Sequence, residues 1–145
     1  MNPRSQALLD AVRSRVVVAD GAMGTMIQDA APTLEDFQNY EGCNEILNVT
    51  RPELIASIHA QYLKAGAEAI ETNTFGANFA NLAEYNIVDR VYELAHAGAK
   101  VAREIADDFA TEDKPRWVLG SLGPGTKLPS LGHEKFSVLR DAYQD

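Results

Sequence analysis

VVVADGAMGT, residues 16–25, runs three valines into Ala19 and Asp20 and then places Gly21 and Gly24 within four positions. Val16 to Ala19 is a continuous apolar run too short for a helix and rich in β-branched side chains, the pattern of a strand buried on both faces. Asp20-Gly21 ends that strand. A D-G pair is common turn chemistry, so one reading of the aspartate is a tight turn and nothing more. The other reading is functional. Glycines lack a Cβ and let backbone N–H groups approach a small anion, while Asp20 can receive a ligand cation. An α-amino acid offers both charges.

Working outward, Asn2-Pro3 reads as an N-cap and first-turn proline opening a helix whose Leu8, Leu9 and Val12 share a face, placed to cover one end of the core. Thr50 and Glu53 form a T-x-x-E capping box. Leu54, Ile55, Ile58, Tyr62 and Leu63 then make an apolar stripe, and Gly66 suits a left-handed C-cap. A second strand is expected at Ala69 to Thr74, and a long helix at Asp89 to Phe109 with Val91, Leu94, Gly98, Val101, Ile105 and Phe109 on its apolar side. RWVLGSLGP supplies the third strand, followed by a Gly- and Pro-rich loop and a last helix in FSVLRDAYQD, residues 136–145. The order β-α-β-α-β implies an α/β fold with a parallel sheet and right-handed crossovers. Such sheets present functional residues at the C-terminal ends of their strands. Those ends carry Asp20-Gly21, then Glu71, Thr72, Asn73 and Thr74, then Gly120-Ser121. Glu71 can touch a ligand at the rim or satisfy a buried network beneath it.

Composition narrows the function classes. With 145 residues, 46% hydrophobic and 23% charged, the chain supports one globular domain with a core. No apolar run approaches membrane-spanning length, and Arg4, Asp10, Arg13 and Arg15 interrupt any signal core, so a cytoplasmic location is expected. One cysteine, Cys43, can build neither a disulfide framework nor a multi-thiolate metal site. The sequon at Asn48 is then expected to be idle. A net charge of −8 with scattered Lys and Arg excludes the basic footprint of a nucleic-acid or anionic-membrane binder. GSLGPGTK nearly spells a phosphate loop, but Lys127 does not follow Gly125 directly, Leu128 replaces the Mg-binding Ser or Thr, and Pro124 removes an amide. His59, His96 and His133 have no metal-spaced partner and read as packing or surface residues. Trp117 and Phe75 read as core.

VVVADGAMGTMIQ, GCNEILNVTRPELIASIHAQYLKAGAEAIETNTFGAN and WVLGSLGPGTKLPSLGH together resemble the homocysteine S-methyltransferase family, in order and with compatible spacing over nearly the whole chain. NEILNVTRPE favours its cobalamin-dependent methionine synthase branch over the betaine-dependent one. The resemblance implies a (β/α)8 TIM barrel in which Asp20 holds the homocysteine amino group and the amides of Gly21 and Ala22 hold its carboxylate. Glu71, Asn73 and Thr74 are further candidates for substrate binding. The family activates the thiol on a zinc held by three cysteines late in the barrel, and none of those positions falls in this chain. Residues 1–145 are therefore expected to be the first three βα units of an incomplete barrel, contributing binding rather than thiol activation. Zinc and cobalamin would belong to the parent enzyme, and the remaining barrel and downstream folate and cobalamin domains would be its partners. Two alternatives stand: a homocysteine methyltransferase with another methyl donor, and a non-catalytic amino-acid-binding or interaction fragment.

Overall fold

The computed structural model describes residues 2–143. Helix α1 (Pro3–Ser14) begins as expected: Asn2 Oδ1 accepts from the Arg4 N–H at 2.9 Å, and Pro3 fills the first turn, where a missing N–H breaks no helical bond. It buries no residue, however, and Val12 is exposed, so α1 covers the core only loosely.

The first strand is much reduced. Ala19 makes a single parallel bridge to Ala69, supported by Glu68 and Ala69 N–H groups donating to Val18 O and by Asp20 N–H donating to Ala69 O. It is not buried on both faces either, since Val16 is 83% and Val18 52% exposed. These two lie open, while Val17 between them is half-buried. The sheet proper is two parallel strands, β1 (Ala69–Glu71) and β2 (Trp117–Leu119), in the register Ala69 to Trp117, Ile70 to Val118 and Glu71 to Leu119. β1 thus lies between the Val18–Asp20 segment and β2. Its ladder ends at Glu71, three residues before the expected end, although the Thr72 N–H still donates to Leu119 O at 2.9 Å.

The helices are α2 (Met23–Asp29), α3 (Leu47–Thr50), α4 (Pro52–Ala65), α5 (Phe79–Glu84), α6 (Val91–Phe109) and α7 (Phe136–Ala142). Residues 144 and 145 of the expected last helix lie outside the described residues. The capping box at Thr50 does not form. Thr50 closes α3, where its hydroxyl donates back to Ile46 O at 3.2 Å, and α4 starts on Pro52 with Arg51 as an N-cap lacking a side-chain bond. Gly66 does take the left-handed C-cap, at φ 113°.

Most of the buried hydrophobic side chains fall into three groups, and α6 has a member in each: Val101 with Ile27, Leu47, Ile55 and Ile58; Leu94 with Cys43, Ile46, Leu82 and Ile87; Ala102 and Ala106 with Leu63 and Ile70. Trp117 is buried as expected, but Phe75 is 58% exposed and is not core, because the chain has already left the ladder there. Among the described residues no helix is long and apolar enough to cross a membrane.

At Gly98, α6 packs tightly against Asn48 and Thr74. A Cβ there would lie 2.7 Å from Asn48 Nδ2 and 2.8 Å from Thr74 Cγ2. A Gly to Ala change inside a helix ordinarily gains about 0.5–1 kcal/mol, whereas overpacking a core costs about 1–3 kcal/mol. The clash is expected to win, so Gly98→Ala should lower stability to urea; a gain would mean that Asn48 yields without loss. His59 on α4 is fully buried, and neither ring nitrogen has a partner among the described residues. Burial pushes its pKa down to about 4. The unfolded chain takes up a proton near pH 6.5 that the folded chain refuses, so this contribution is present above that pH and is lost as pH falls toward 4. Urea titrations at pH 7 and pH 5 should show the fall, up to ~3 kcal/mol across the full window, and His59→Leu should flatten it.

Candidate functional site

A cavity of about 310 Å³ opens where the parallel segments end. The first segment contributes Asp20, Gly21, Ala22 and Met23 to its wall; the end of β1 and the residues after it contribute Glu71, Thr72, Asn73 and Phe75; the loop after β2 contributes Ser121. The single bridge at Ala19 explains how Asp20 arrives there. It sets Asp20 beside Glu71, whose N–H donates to both carboxylate oxygens, at 3.1 and 3.0 Å. Asp20 is half-buried, and that burial raises its pKa above the ordinary carboxylate value; the bond from the Glu71 N–H opposes the rise in part, and the Glu71 charge adds to it. No lysine or arginine lines the cavity to relieve Asp20.

Behind the turn stands Tyr62 of α4. Its hydroxyl donates to Ala22 O at 2.9 Å, and a Cβ on Gly21 would come within 3.3 Å of its oxygen. The glycine therefore lets the turn sit against the phenol. Among the described residues the N–H groups of Gly21 and Ala22 make no hydrogen bond, and both residues line the cavity together with Asp20.

The residues after Glu71 divide between cavity and scaffold. Glu71 is exposed, and its Oε2 accepts from Ser121 Oγ at 3.2 Å. Thr72 and Thr74 bring their hydroxyls to 2.6 Å, Thr74 Oγ1 donates to Ser121 O at 2.8 Å, and the Ser121 N–H donates to Thr72 Oγ1 at 3.0 Å. Thr72 must then donate to Thr74, which completes the chain. Asn73 lines the cavity, yet its amide N–H groups point to Asn44 O (2.9 Å) and Asn48 Oδ1 (3.0 Å). Thr74 is not on the wall at all. Of the six expected residues, the structure thus brings Asp20, Gly21, Ala22 and Glu71 together at the cavity, sets Asn73 there with its donors engaged elsewhere, and places Thr74 behind it. Met23, Phe75 and Tyr62 were not anticipated. Thr72 and Ser121, which the sequence placed at the strand ends though not among the six, line the cavity as well.

The donor set does not fit zinc. No three His, Cys, Asp or Glu side chains converge among the described residues. Cys43 is 1% exposed, and burial, with the nearby Glu45 charge, pushes its thiol up to about 11, where thiolate is scarce at neutral pH. Glu45 itself accepts from the Gly76 N–H at 2.7 Å. The sequon residue Asn48 is buried and donates to Asn73 O and Leu94 O. The glycine loop after β2 also has a packing role: the Gly123 N–H donates to Phe75 O at 3.1 Å, and a Cβ on Gly125 would lie 2.8 Å from Ala80 Cβ.

Residues 17–145 match a family model described as homocysteine S-methyltransferase. The chain is 55% identical over 138 residues to a methionine synthase of Mycobacterium tuberculosis (strain ATCC 25618 / H37Rv) and 54% identical over 138 residues to one of Mycobacterium leprae (strain TN). Each alignment covers 95% of this chain but only 12% and 11% of those relatives, so the chain spans a small part of their length. Among solved structures, the homocysteine methyltransferase MmuM from Escherichia coli is similar in its oxidized and metallated forms, each with a TM-score of 0.64 and 25% identity. Those matches cover 84% and 83% of this chain and 41% of MmuM. With a family match over all but its first 16 residues and more than half its positions shared with methionine synthases, the chain belongs to the homocysteine S-methyltransferase family.

Proposed function

We propose that this chain is the substrate-holding first part of a methionine synthase, in which homocysteine receives a methyl group from methylcobalamin. The observation that carries the reading is the pairing at one cavity of a half-buried, cation-less Asp20 with the unengaged N–H groups of Gly21 and Ala22. A zwitterionic amino acid matches it: the ammonium takes Asp20, and the carboxylate takes the two amides. Met23 and Phe75 supply apolar wall for the rest of the ligand. Identity of 55% to methionine synthase against 25% to MmuM favours the cobalamin branch over a stand-alone methyltransferase with another donor.

In this reading the Val18–Asp20 segment, β1 and β2 are the first three strands of a (β/α)8 barrel, and residues 1–145 are its beginning. Their side-by-side order and common polar rim support it. The open side at Val16 and Val18 would be covered by the rest of the barrel. Zinc, cobalamin and the folate-binding and cobalamin-binding domains lie in the remainder of the longer protein, which works in a reducing cytoplasm. The present residues bind and orient the amino-acid end and leave the thiol to donors elsewhere.

Asp20→Asn in the complete protein should weaken homocysteine binding by roughly 1.5–3 kcal/mol, or about 10- to 150-fold. Zinc content should not change. The ligand-free melting temperature should not fall, because a raised folded pKa means that ionised Asp20 opposes folding at neutral pH. An unchanged Kd by calorimetry would return Asp20 to a turn residue and remove the amino-acid site. Cys43→Ala should likewise leave zinc stoichiometry intact, and the native Cys43 thiol should resist iodoacetamide at pH 8 until the protein is unfolded. Loss of one zinc equivalent in a folded variant would make Cys43 a ligand and contradict the assignment of the metal to other residues.

A further inference from the structure

Tyr62 is half-buried on α4, and its ring packs with Met23 and Met26 of α2 against the apolar group that contains Ile27 and Val101. The core therefore fixes the ring. Its hydroxyl donates to Ala22 O at 2.9 Å, the only side-chain hydrogen bond that residues 21 and 22 receive among the described residues. The bond joins α4 to the turn before α2, so its geometry is set by this chain's own elements.

On one side of this turn, Asp20 is tied to Ala69 and Glu71 of β1; on the other, Ile27 docks α2 in the core. Gly21 and Ala22 lie between those anchors. Glycine has more backbone freedom than any other residue, and a carboxylate held by main-chain N–H groups binds better when that backbone already has one geometry. A side chain at residue 21 would meet the phenol, since a Cβ there would lie 3.3 Å from Tyr62 Oη and 3.4 Å from its Cε1. The phenol thus favours the glycine and also restrains the turn that contains it.

We infer that Tyr62 is a positioning residue whose hydroxyl holds the Gly21–Ala22 turn in the geometry that receives the carboxylate of the amino-acid substrate. This rests on the homocysteine reading of the cavity. Tyr62 does not line the cavity wall, so it acts through the turn and not on the ligand.

The test is calorimetric titration of the complete protein with homocysteine and with 3-aminopropane-1-thiol, which keeps the ammonium and the thiol but lacks the carboxylate. Tyr62→Phe removes the hydroxyl and leaves the packed ring in place. It should raise the Kd of homocysteine about 3- to 10-fold and leave that of 3-aminopropane-1-thiol unchanged. Gly21→Ala, which presses a methyl group toward the phenol, should also weaken homocysteine binding. Combined with Tyr62→Phe, its effect should not add in full, because both changes act on one turn. Equal weakening of both ligands by Tyr62→Phe would make the hydroxyl a general support of the fold, and an unchanged homocysteine Kd or full additivity with Gly21→Ala would remove its part in binding. Each of these overturns the inference and leaves the homocysteine site standing. Wild-type protein that binds the two ligands equally, or binds no homocysteine, would overturn the reading of the cavity as well.

Discussion

Asn48 and Asn73 exchange hydrogen bonds in the interior: Asn48 Nδ2 donates to Asn73 O at 2.8 Å, and Asn73 Nδ2 donates to Asn48 Oδ1 at 3.0 Å. The same Asn48 amide reaches Leu94 O on α6 at 3.1 Å, and the Asn73 amide reaches Asn44 O. One amide pair therefore ties α3, the residues leaving β1, and the long helix. Buried amides are costly unless their groups are paired, so helix and strand end cannot shift independently without breaking several bonds. Gly98 follows from this constraint, because α6 must pass close enough for the amide to reach it. So does the cavity: with residue 73 anchored inward, Glu71 and Phe75 are left on the open side, and Thr72 and Thr74 are placed to grip Ser121.

In the proposed reading, recognition at this rim would use main-chain donors in place of an arginine. The chain is acidic, with a net charge of −8, and its cavity carries two carboxylates and no base. A lysine or arginine at the wall would pair with Asp20, lower its pKa and compete with an ammonium for it. The N–H groups of Gly21 and Ala22 offer partial positive charge to an anion without that competition. Tyr62 steadies the turn from behind by donating to Ala22 O.

What could be read in the sequence follows from how local each cause is. The helices at Pro52–Ala65 and Val91–Phe109 were visible because an apolar stripe repeats over many residues, and Gly66 marked its own cap. Asp20, Gly21 and Ala22 are adjacent, so their shared place at the rim needed no tertiary knowledge beyond the end of one segment. Thr50 misled because a short turn of helix, α3, precedes α4, and it uses the hydroxyl for its own carbonyl. Val16 to Ala19 misled because a β-branched run reports preference, while ladder length and burial depend on neighbours that no described residue provides. The directions of Asn73, Thr74 and Phe75 were hidden for a related reason. Alternation holds only within a ladder, and the ladder stops at Glu71.

The burial of Asn48 has a consequence for where such a protein can be made. Asn48-Val49-Thr50 is an acceptor sequence for N-linked sugar, and oligosaccharide is attached to chains before they fold. In the secretory pathway of a eukaryotic host, a glycan on Asn48 would occupy the nitrogen that must reach Asn73 and Leu94 in a space with no room for it. The chain would then be barred from its native packing by a modification that the folded protein could never accept.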